Sequence, residues 1–213
     1  DHLFDHEKNN RLKIKKPFLN SLDLKISKNS KCILYSPTWR PGPNSTSFPL
    51  TLLNGFDLSN FDTWLSENDI FIYISVHPHV KDFEDFSGLS NISYLKQSPL
   101  TDINQVLPEI DLLITDYSSI ATDFMILNRP VIYVMPDYEY YLNEFGLLED
   151  IREKLPGYEA KTMIELKNMI IGSLSKPLQM EKERKNYLRK YYDLDNHSSS
   201  ENISSFIQNV MNK

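Results

Sequence analysis

Residues 111–135 read DLLITDYSSIATDFMILNRPVIYVM, and the prediction of the fold class starts from this stretch. A short apolar run at 112–115 predicts a buried strand. Apolar residues then recur at helical spacing from Ile120, and the Arg-Pro pair at 129–130 predicts the end of that helix, because proline cannot continue it. A second apolar run at 131–135 predicts another strand. The stretch therefore predicts a strand, a turn, a helix and a strand in succession.

Strands and helices also alternate upstream of this stretch. The predicted elements are strands at 31–36, 70–76 and, more weakly, 91–95, and helices at 58–67 and 101–107. Ser59 is predicted to be the N-cap of the helix at 58–67. This alternation is typical of an α/β fold with a Rossmann-like, doubly wound parallel sheet. Ligands of such sheets bind beyond the carboxyl ends of the strands.

The last third of the chain predicts C-terminal helices. Thr162 with Glu165, and Ser198 with Glu201, form capping-box patterns, each in front of an apolar face. Between them, residues 180–192 form a highly charged helix candidate.

Length and composition indicate one globular domain. The chain has 213 residues, 40% of them hydrophobic and 24% charged, which is too short for two full α/β nucleotide-binding domains. We predict a linker or interdomain segment at 1–30 and the folded domain at 31–213. The formal net charge of −6 lacks the basic field that nucleic-acid binders use, so nucleic acid is not an expected partner.

The compartment is predicted from the cysteine count and from hydropathy. The single cysteine, Cys32, lies in an apolar run, so it predicts a buried thiol in a reducing cytoplasm rather than a disulfide. No apolar run is long enough to span a bilayer, and the charged opening is not a signal peptide. The basic residues at 11–16 fit either a solvated linker or a contact with an anionic membrane surface.

Polar side chains follow three of the predicted strands. They are Thr38 and Arg40 after the first, His77 after the second, and Asp116, Ser118 and Ser119 after the strand at 112–115. Because the carboxyl ends of parallel strands share one edge of a sheet, we expect these side chains to converge there.

The chemistry of these residues suits a phosphate. Ser118 and Ser119 open a predicted helix whose positive end favours a diphosphate, although one of them fits equally a simple N-cap. Arg40 would add a bidentate cation, and His77 a donor that strengthens as charge develops on a leaving phosphate. Taken singly, Arg40 also fits a surface ion pair and His77 a structural residue at a strand end, but together at one edge of the sheet they favour an anion site. His77 and His79 have a spacing that zinc accepts, but no cysteine or further histidine accompanies them, so neither a metal nor another cofactor is predicted.

Several segments together carry a resemblance to a known family. They are 35–40 (YSPTWR), 77–78 (HP), 111–123 (DLLITDYSSIATD), 129–133 (RPVIY), 137–141 (DYEYY), 156–157 (PG) and 195–206. In this combination the chain, over about residues 31–207, resembles the CDP-glycerol glycerophosphotransferase family of teichoic-acid and capsule polymerases and primases.

The resemblance implies a GT-B type enzyme, in which two Rossmann-like domains face each other across a cleft, with this chain as the C-terminal half. It implies attack by a polymer or lipid-linked hydroxyl on the β-phosphorus of CDP-glycerol or a similar CDP-polyol, with release of CMP, at the inner face of the cell membrane. The implied residues are His77 and Arg40 as catalytic contacts to the phosphates, Thr38, Asp116, Ser118 and Ser119 as substrate-binding residues, and Asp137 with Glu139 as an acidic pair near the donor.

The chain departs from the family pattern in two places. Near the C-terminus the family usually has an Asp-Gly pair followed by Arg, where this chain has Asn196, His197 and later Asn202. The family's acceptor domain would lie upstream of Asp1, so we expect the chain to be a fragment. Two other hypotheses stay open: a GT-B glycosyltransferase or epimerase that uses a UDP-sugar, and a non-catalytic nucleotide-binding module.

Overall fold

The computed structural model describes residues 3, 19, 26–27, 29–40, 48–75, 84–95, 102–147, 152, 155–192 and 199–211. The strands within these ranges are β1 (Lys31–Ser36), β2 (Ile70–Ile74), β3 (Ile92–Tyr94), β4 (Leu112–Thr115), β5 (Val131–Tyr133) and β6 (Tyr158–Glu159). The helices whose bounds fall within these ranges are α1 (Leu58–Glu67), α2 (Ile120–Ile126), α3 (Tyr138–Phe145), α4 (Met163–Ser175), α5 (Glu181–Leu188) and α6 (Ser199–Met211).

The six strands form one parallel sheet in the order β3-β2-β1-β4-β5-β6. The chain therefore moves outward from β1 in one direction and outward from β4 in the other. The two halves meet between β1 and β4, which is the switch point where doubly wound sheets open a crevice for ligands. The predicted α/β, doubly wound parallel sheet is confirmed.

Hydrophobic cores cover both faces of the sheet, as the apolar strands require. In β1, Cys32 and Leu34 belong to one core, which also contains Phe124 of α2. Ile33 and Tyr35 alternate with them and belong to the other core, with helices α1 and α4. Since strand side chains alternate between faces, β1 is covered on both sides and lies at the centre of the fold.

Two local predictions were wrong. Helix α1 begins at Leu58, and its N-cap is Asp57 rather than Ser59, because the Asp57 carboxylate accepts a hydrogen bond from the Asn60 N–H at 2.7 Å. The helix predicted at 101–107 is instead two 3-10 turns, Ile103–Gln105 and Leu107–Glu109. Pro108 lies in the second turn, and a proline has no N–H to continue a helical ladder.

Several strands are shorter than predicted, and one helix and one strand were missed. Strand β2 ends at Ile74 and β5 at Tyr133, while Val76 lies outside the described residues. Helix α3 and strand β6 were not predicted. The capping box of Thr162 and Glu165 is confirmed at the start of α4; helix α6 is present, but Ser198 of its predicted box lies outside the described residues.

Long-range polar contacts fix the turns that lead into the sheet. The Nη1 atom of Arg129 donates to the carbonyls of Leu107, Pro108 and Ile110, at 3.3, 2.7 and 2.5 Å. The N–H of Leu19 donates to Glu109 Oε2 at 2.8 Å, and Leu19 is fully buried. Residues ahead of β1 thus contribute to the core. Among the helices that the structure describes, none has the length and hydropathy to cross a membrane.

Candidate functional site

The loop after β1 is tied to the loop after β4 across the switch point. The Thr38 N–H and the Thr38 hydroxyl both donate to Asp116 Oδ1, at 2.8 and 2.7 Å. The same oxygen accepts from the Tyr117 N–H at 2.6 Å. The Asp116 carboxylate therefore orders the turn that follows β4 and holds it against the loop after β1.

Arg40 extends this connection to the loop after β5. Its Nε and Nη2 atoms donate to the two oxygens of Asp137, at 2.5 and 3.0 Å. Its Nη1 atom donates to the Thr38 carbonyl at 2.7 Å and lies 2.8 Å from Asp116 Oδ2, an ionic contact without hydrogen-bond geometry. The Arg40 side chain is only 5% exposed, so one guanidinium connects three loops inside the protein.

The electrostatics of this group depend on burial and on ion pairing. Burial alone would lower the pKa of Arg40, but the bonds and charges of Asp137 and Asp116 outweigh it and raise the pKa above its usual value. Burial would raise the pKa of Asp137, but the bond and charge of Arg40 outweigh it and hold the pKa below its usual value. Arg40 and Asp137 are therefore charged at neutral pH. The formal charges of the guanidinium and of the two carboxylates around it sum to −1.

Aromatic rings cover the guanidinium. The ring of Tyr117 stacks on that of Tyr141 in α3, with centroids 3.9 Å apart. The Arg40 guanidinium carbon lies 5.5 Å from the Tyr117 centroid and 5.7 Å from the Tyr141 centroid, within the range of cation–π attraction. The Tyr117 hydroxyl donates to Asp137 Oδ1 at 3.0 Å. Burial, followed by the charge of Asp137, raises the pKa of Tyr117, so this hydroxyl remains a donor.

Ser118 and Ser119 lie where the sequence predicted, directly before α2, but the helix end differs from the prediction. Ser119 is the N-cap residue with a helical backbone, and its exposed side chain makes no capping bond. Ser118 Oγ accepts only a long bond from the Ile120 N–H, at 3.5 Å. The N–H groups of Ala121 and Thr122 donate to the carbonyls of Ser118 and Ser119, so the helix end offers fewer backbone donors than expected.

The remaining predicted residues do not all join this group. Glu139 is exposed, and its Oε1 lies 4.0 Å from Arg152 Nη1, away from Arg40. The predicted acidic pair is therefore divided, with Asp137 inside the network and Glu139 outside it. His77 and His79 lie outside the described residues. Within the ranges that the structure does describe, no three His, Cys, Asp or Glu side chains are grouped so as to hold a metal ion.

Sequence reasoning did not single out the aromatic pair of Tyr117 and Tyr141. Tyr117 stands in the middle of the motif at 111–123, and Tyr141 belongs to the DYEYY segment. Both tyrosines are evident in the sequence, but their stacking is not, because it joins two elements that are far apart in the chain. Trp39, 37% exposed between Thr38 and Arg40, is a further aromatic residue at this edge of the sheet.

Comparison with known sequences extends these observations. Residues 1–209 match the family described as CDP-Glycerol:Poly(glycerophosphate) glycerophosphotransferase. Two similar proteins of Bacillus spizizenii are a teichoic acid poly(ribitol-phosphate) polymerase, 30% identical over 80% of this chain, and a teichoic acid poly(glycerol phosphate) polymerase, 32% identical over 75% of it. The matched region covers 26% and 39% of those two proteins, so the chain spans well under half of either.

Solved structures show the same likeness. The wall teichoic acid polymerase TagF, as a variant soaked with CDPG, is 25% identical with a TM-score of 0.72, over 99% of this chain and 51% of that one. The glycotransferase of kitacinnamycin is 12% identical with a TM-score of 0.51, over 84% of this chain and 43% of that one, which is a likeness of fold alone.

Proposed function

Since the chain belongs to the CDP-glycerol:poly(glycerophosphate) glycerophosphotransferase family, we propose that it is the donor-binding half of a transferase. The complete enzyme would move a polyol phosphate from CDP-glycerol or a similar CDP-polyol to a teichoic acid or capsular acceptor and release CMP. The observation that carries this proposal is the hydrogen-bonded junction of Thr38 with Asp116, at the switch point of the sheet. Nucleotides bind at such a point in doubly wound folds.

The proposed site lies on the solvent side of that junction. Ser118 and Ser119 would contact the diphosphate, because Asp116 fixes the turn that carries them and the Ser119 side chain is exposed. His77, which follows β2 in sequence and lies outside the described residues, would donate to the phosphate of the leaving group. A direct contact from Arg40 would require its guanidinium to leave at least one of two carboxylates.

The proposed reaction is a phosphoryl transfer. An oxygen of the acceptor hydroxyl forms a bond to the β-phosphorus, and the bond from that phosphorus to the bridging oxygen breaks. The electron pair leaves with CMP, and the hydroxyl proton passes to a base outside this chain. Positioning and charge stabilisation supply most of the catalysis in such reactions, and the residues of this chain would supply them on the donor side.

The chain's relatives include polymerases of both ribitol phosphate and glycerol phosphate, so the proposal extends to CDP-polyols as a class. An acceptor carried on a lipid would bring the complete enzyme to the cytoplasmic face of the membrane, as a peripheral protein. The acceptor-binding half would lie in the part of the relatives that this chain does not match.

The test is calorimetric titration of the 213-residue chain with CDP, CMP, UDP and GDP. We expect CDP to bind more tightly than the other three nucleotides. Preference for UDP would favour transfer or epimerisation of a sugar instead, and absence of binding to all four would remove the proposal. Ser119→Ala should weaken CDP binding, whereas Ser175→Ala, at the exposed last turn of α4, serves as the matched control and should not.

A further inference from the structure

We infer that Arg40 and Asp137 are positioning residues of the proposed donor site, which fix the loops around the donor without touching its phosphates. This inference rests on the proposed function. It departs from the expectation, drawn from the sequence, that Arg40 is itself the cation that contacts the diphosphate.

Arg40 and Asp137 form a bidentate ion pair that holds their two loops together. Both oxygens of Asp137 are engaged by the Nε and Nη2 atoms of Arg40, the bidentate arrangement that binds a guanidinium most specifically. The third nitrogen, Nη1, faces the Thr38 carbonyl and Asp116. All three nitrogens of the guanidinium are thus directed at protein oxygens in the loops after β1, β4 and β5.

Because the ion pair is largely shielded from solvent, breaking it costs free energy. The side chains are 5% exposed for Arg40, 2% for Asp116 and 14% for Asp137. A phosphate that captured Arg40 would leave a buried carboxylate without its partner, and an unpaired buried charge is strongly destabilising. The group also has a formal net charge of −1, which repels a diphosphate rather than attracting it.

Tyr117 links Asp137 to the turn that carries Ser118 and Ser119. Its hydroxyl donates to Asp137 Oδ1 at 3.0 Å, and its ring stacks on Tyr141. Tyr117 is the residue directly before Ser118. Asp137 therefore holds the turn that presents Ser118 and Ser119 through the Tyr117 hydroxyl, while Asp116 holds it through the Tyr117 N–H.

Phosphate binding by Arg40 and loop positioning by Arg40 predict opposite effects of Asp137→Asn on the affinity for CDP. If Arg40 bound the phosphates, loss of a neighbouring negative charge would leave it freer and the site more positive, so CDP would bind as tightly as before or more tightly. If Arg40 and Asp137 position the loops, the same substitution loosens the turn, and CDP binds more weakly although the repulsion has decreased.

The experiment compares the 213-residue chain with its Asp137→Asn and Glu144→Gln variants by calorimetric titration with CDP. Glu144 is the matched control, because it is an exposed residue of α3, the helix whose N-cap is Asp137, and it loses the same charge. We expect Kd to rise about tenfold or more for Asp137→Asn, on the scale of one lost charge-assisted hydrogen bond. Glu144→Gln should stay within about twofold of the unchanged chain, as expected for an exposed charge.

Tyr117→Phe is the second variant, for the case in which Asp137→Asn does not fold. It removes only the hydroxyl and keeps the stacked ring, and we expect a smaller rise in Kd in the same direction. Unchanged or tighter binding in the folded variants would overturn the positioning role. An unmodified chain that binds none of the four nucleotides would instead overturn the proposed function, and the two failures are therefore distinguishable.

Discussion

Thr38 donates twice to one oxygen of Asp116, from its backbone N–H at 2.8 Å and from its hydroxyl at 2.7 Å. The two residues are 78 positions apart in sequence, yet the paired bonds make the loops after β1 and β4 a single unit. Asp116 is 2% exposed and its other oxygen faces Arg40. One oxygen of the carboxylate is thus held by hydrogen bonds and the other by an ionic contact, and these partners decide whether the turn keeps its shape.

Thr38→Val should destabilise the protein and weaken CDP binding. Valine keeps the shape of the side chain but removes the hydroxyl that donates to Asp116, and loss of one bond to a buried charged group costs about 1.5–3 kcal/mol. Urea unfolding measures the change in the free energy of unfolding, and calorimetric titration measures Kd. Thr63→Val is the control, because Thr63 is exposed on α1 and bonds only within its helix. Equal effects of both substitutions would contradict the special role of Thr38.

Gly157→Ala and Gly172→Ala should change stability in opposite directions. A Cβ at Gly157 would overlap the carbonyl oxygen of Val131, a backbone atom of β5 that cannot move aside. A Cβ at Gly172 meets nothing within 4 Å, and alanine in a helix is favoured over glycine by about 0.5–1 kcal/mol. Thermal unfolding of both variants is the measurement, with a lower Tm expected for the first and a slightly higher Tm for the second. A tolerated alanine at 157 would be inconsistent with the close approach of β6 to β5.

Asp137→Asn should reduce the sensitivity of the protein to acid. Arg40, against the opposing effect of burial, holds the pKa of Asp137 below its usual value in the folded state. The unfolded chain therefore takes up this proton first as the pH falls, and the stability from the ion pair, present above about pH 5, is lost as the pH falls through the folded pKa. Unfolding in urea at pH 7, 4 and 3 should show a steeper loss for the unchanged chain than for Asp137→Asn. Parallel losses would mean that the ion pair does not set the pKa of Asp137.

Trp39 should report nucleotide binding by fluorescence. The chain has two tryptophans, and Trp64 lies on α1, stacked on Phe61. In a Trp64→Phe variant, emission comes from Trp39 alone, which is 37% exposed beside Thr38 and Arg40. Titration with CDP should change its intensity or its wavelength along the same curve as the calorimetric heat. Calorimetric binding without any change in Trp39 emission would place the nucleotide away from this loop.

The fold was largely predictable because its signals are local. The apolar runs of β1, β2 and β4 identify strands covered on both faces, and the Arg-Pro pair at 129–130 ends the helix before β5. The errors were local as well. Asp57 and Ser59 are both acceptable caps by residue type, and only the backbone decides which of them takes the position.

What the sequence by itself determined is the class of the fold, the edge of the sheet at which Thr38, Arg40, Asp116 and the two serines lie, and the resemblance to the family. Only the tertiary structure decided what those side chains do to one another. The sequence allows Arg40 to be a phosphate-binding cation or a surface ion pair. In the structure it is buried and bound by Asp137, 97 residues later, while Glu139, two positions further on, lies outside the network. The physical reason is that a side chain's pairing, burial and charge depend on neighbours brought by other strands, and no local pattern encodes the distance between them.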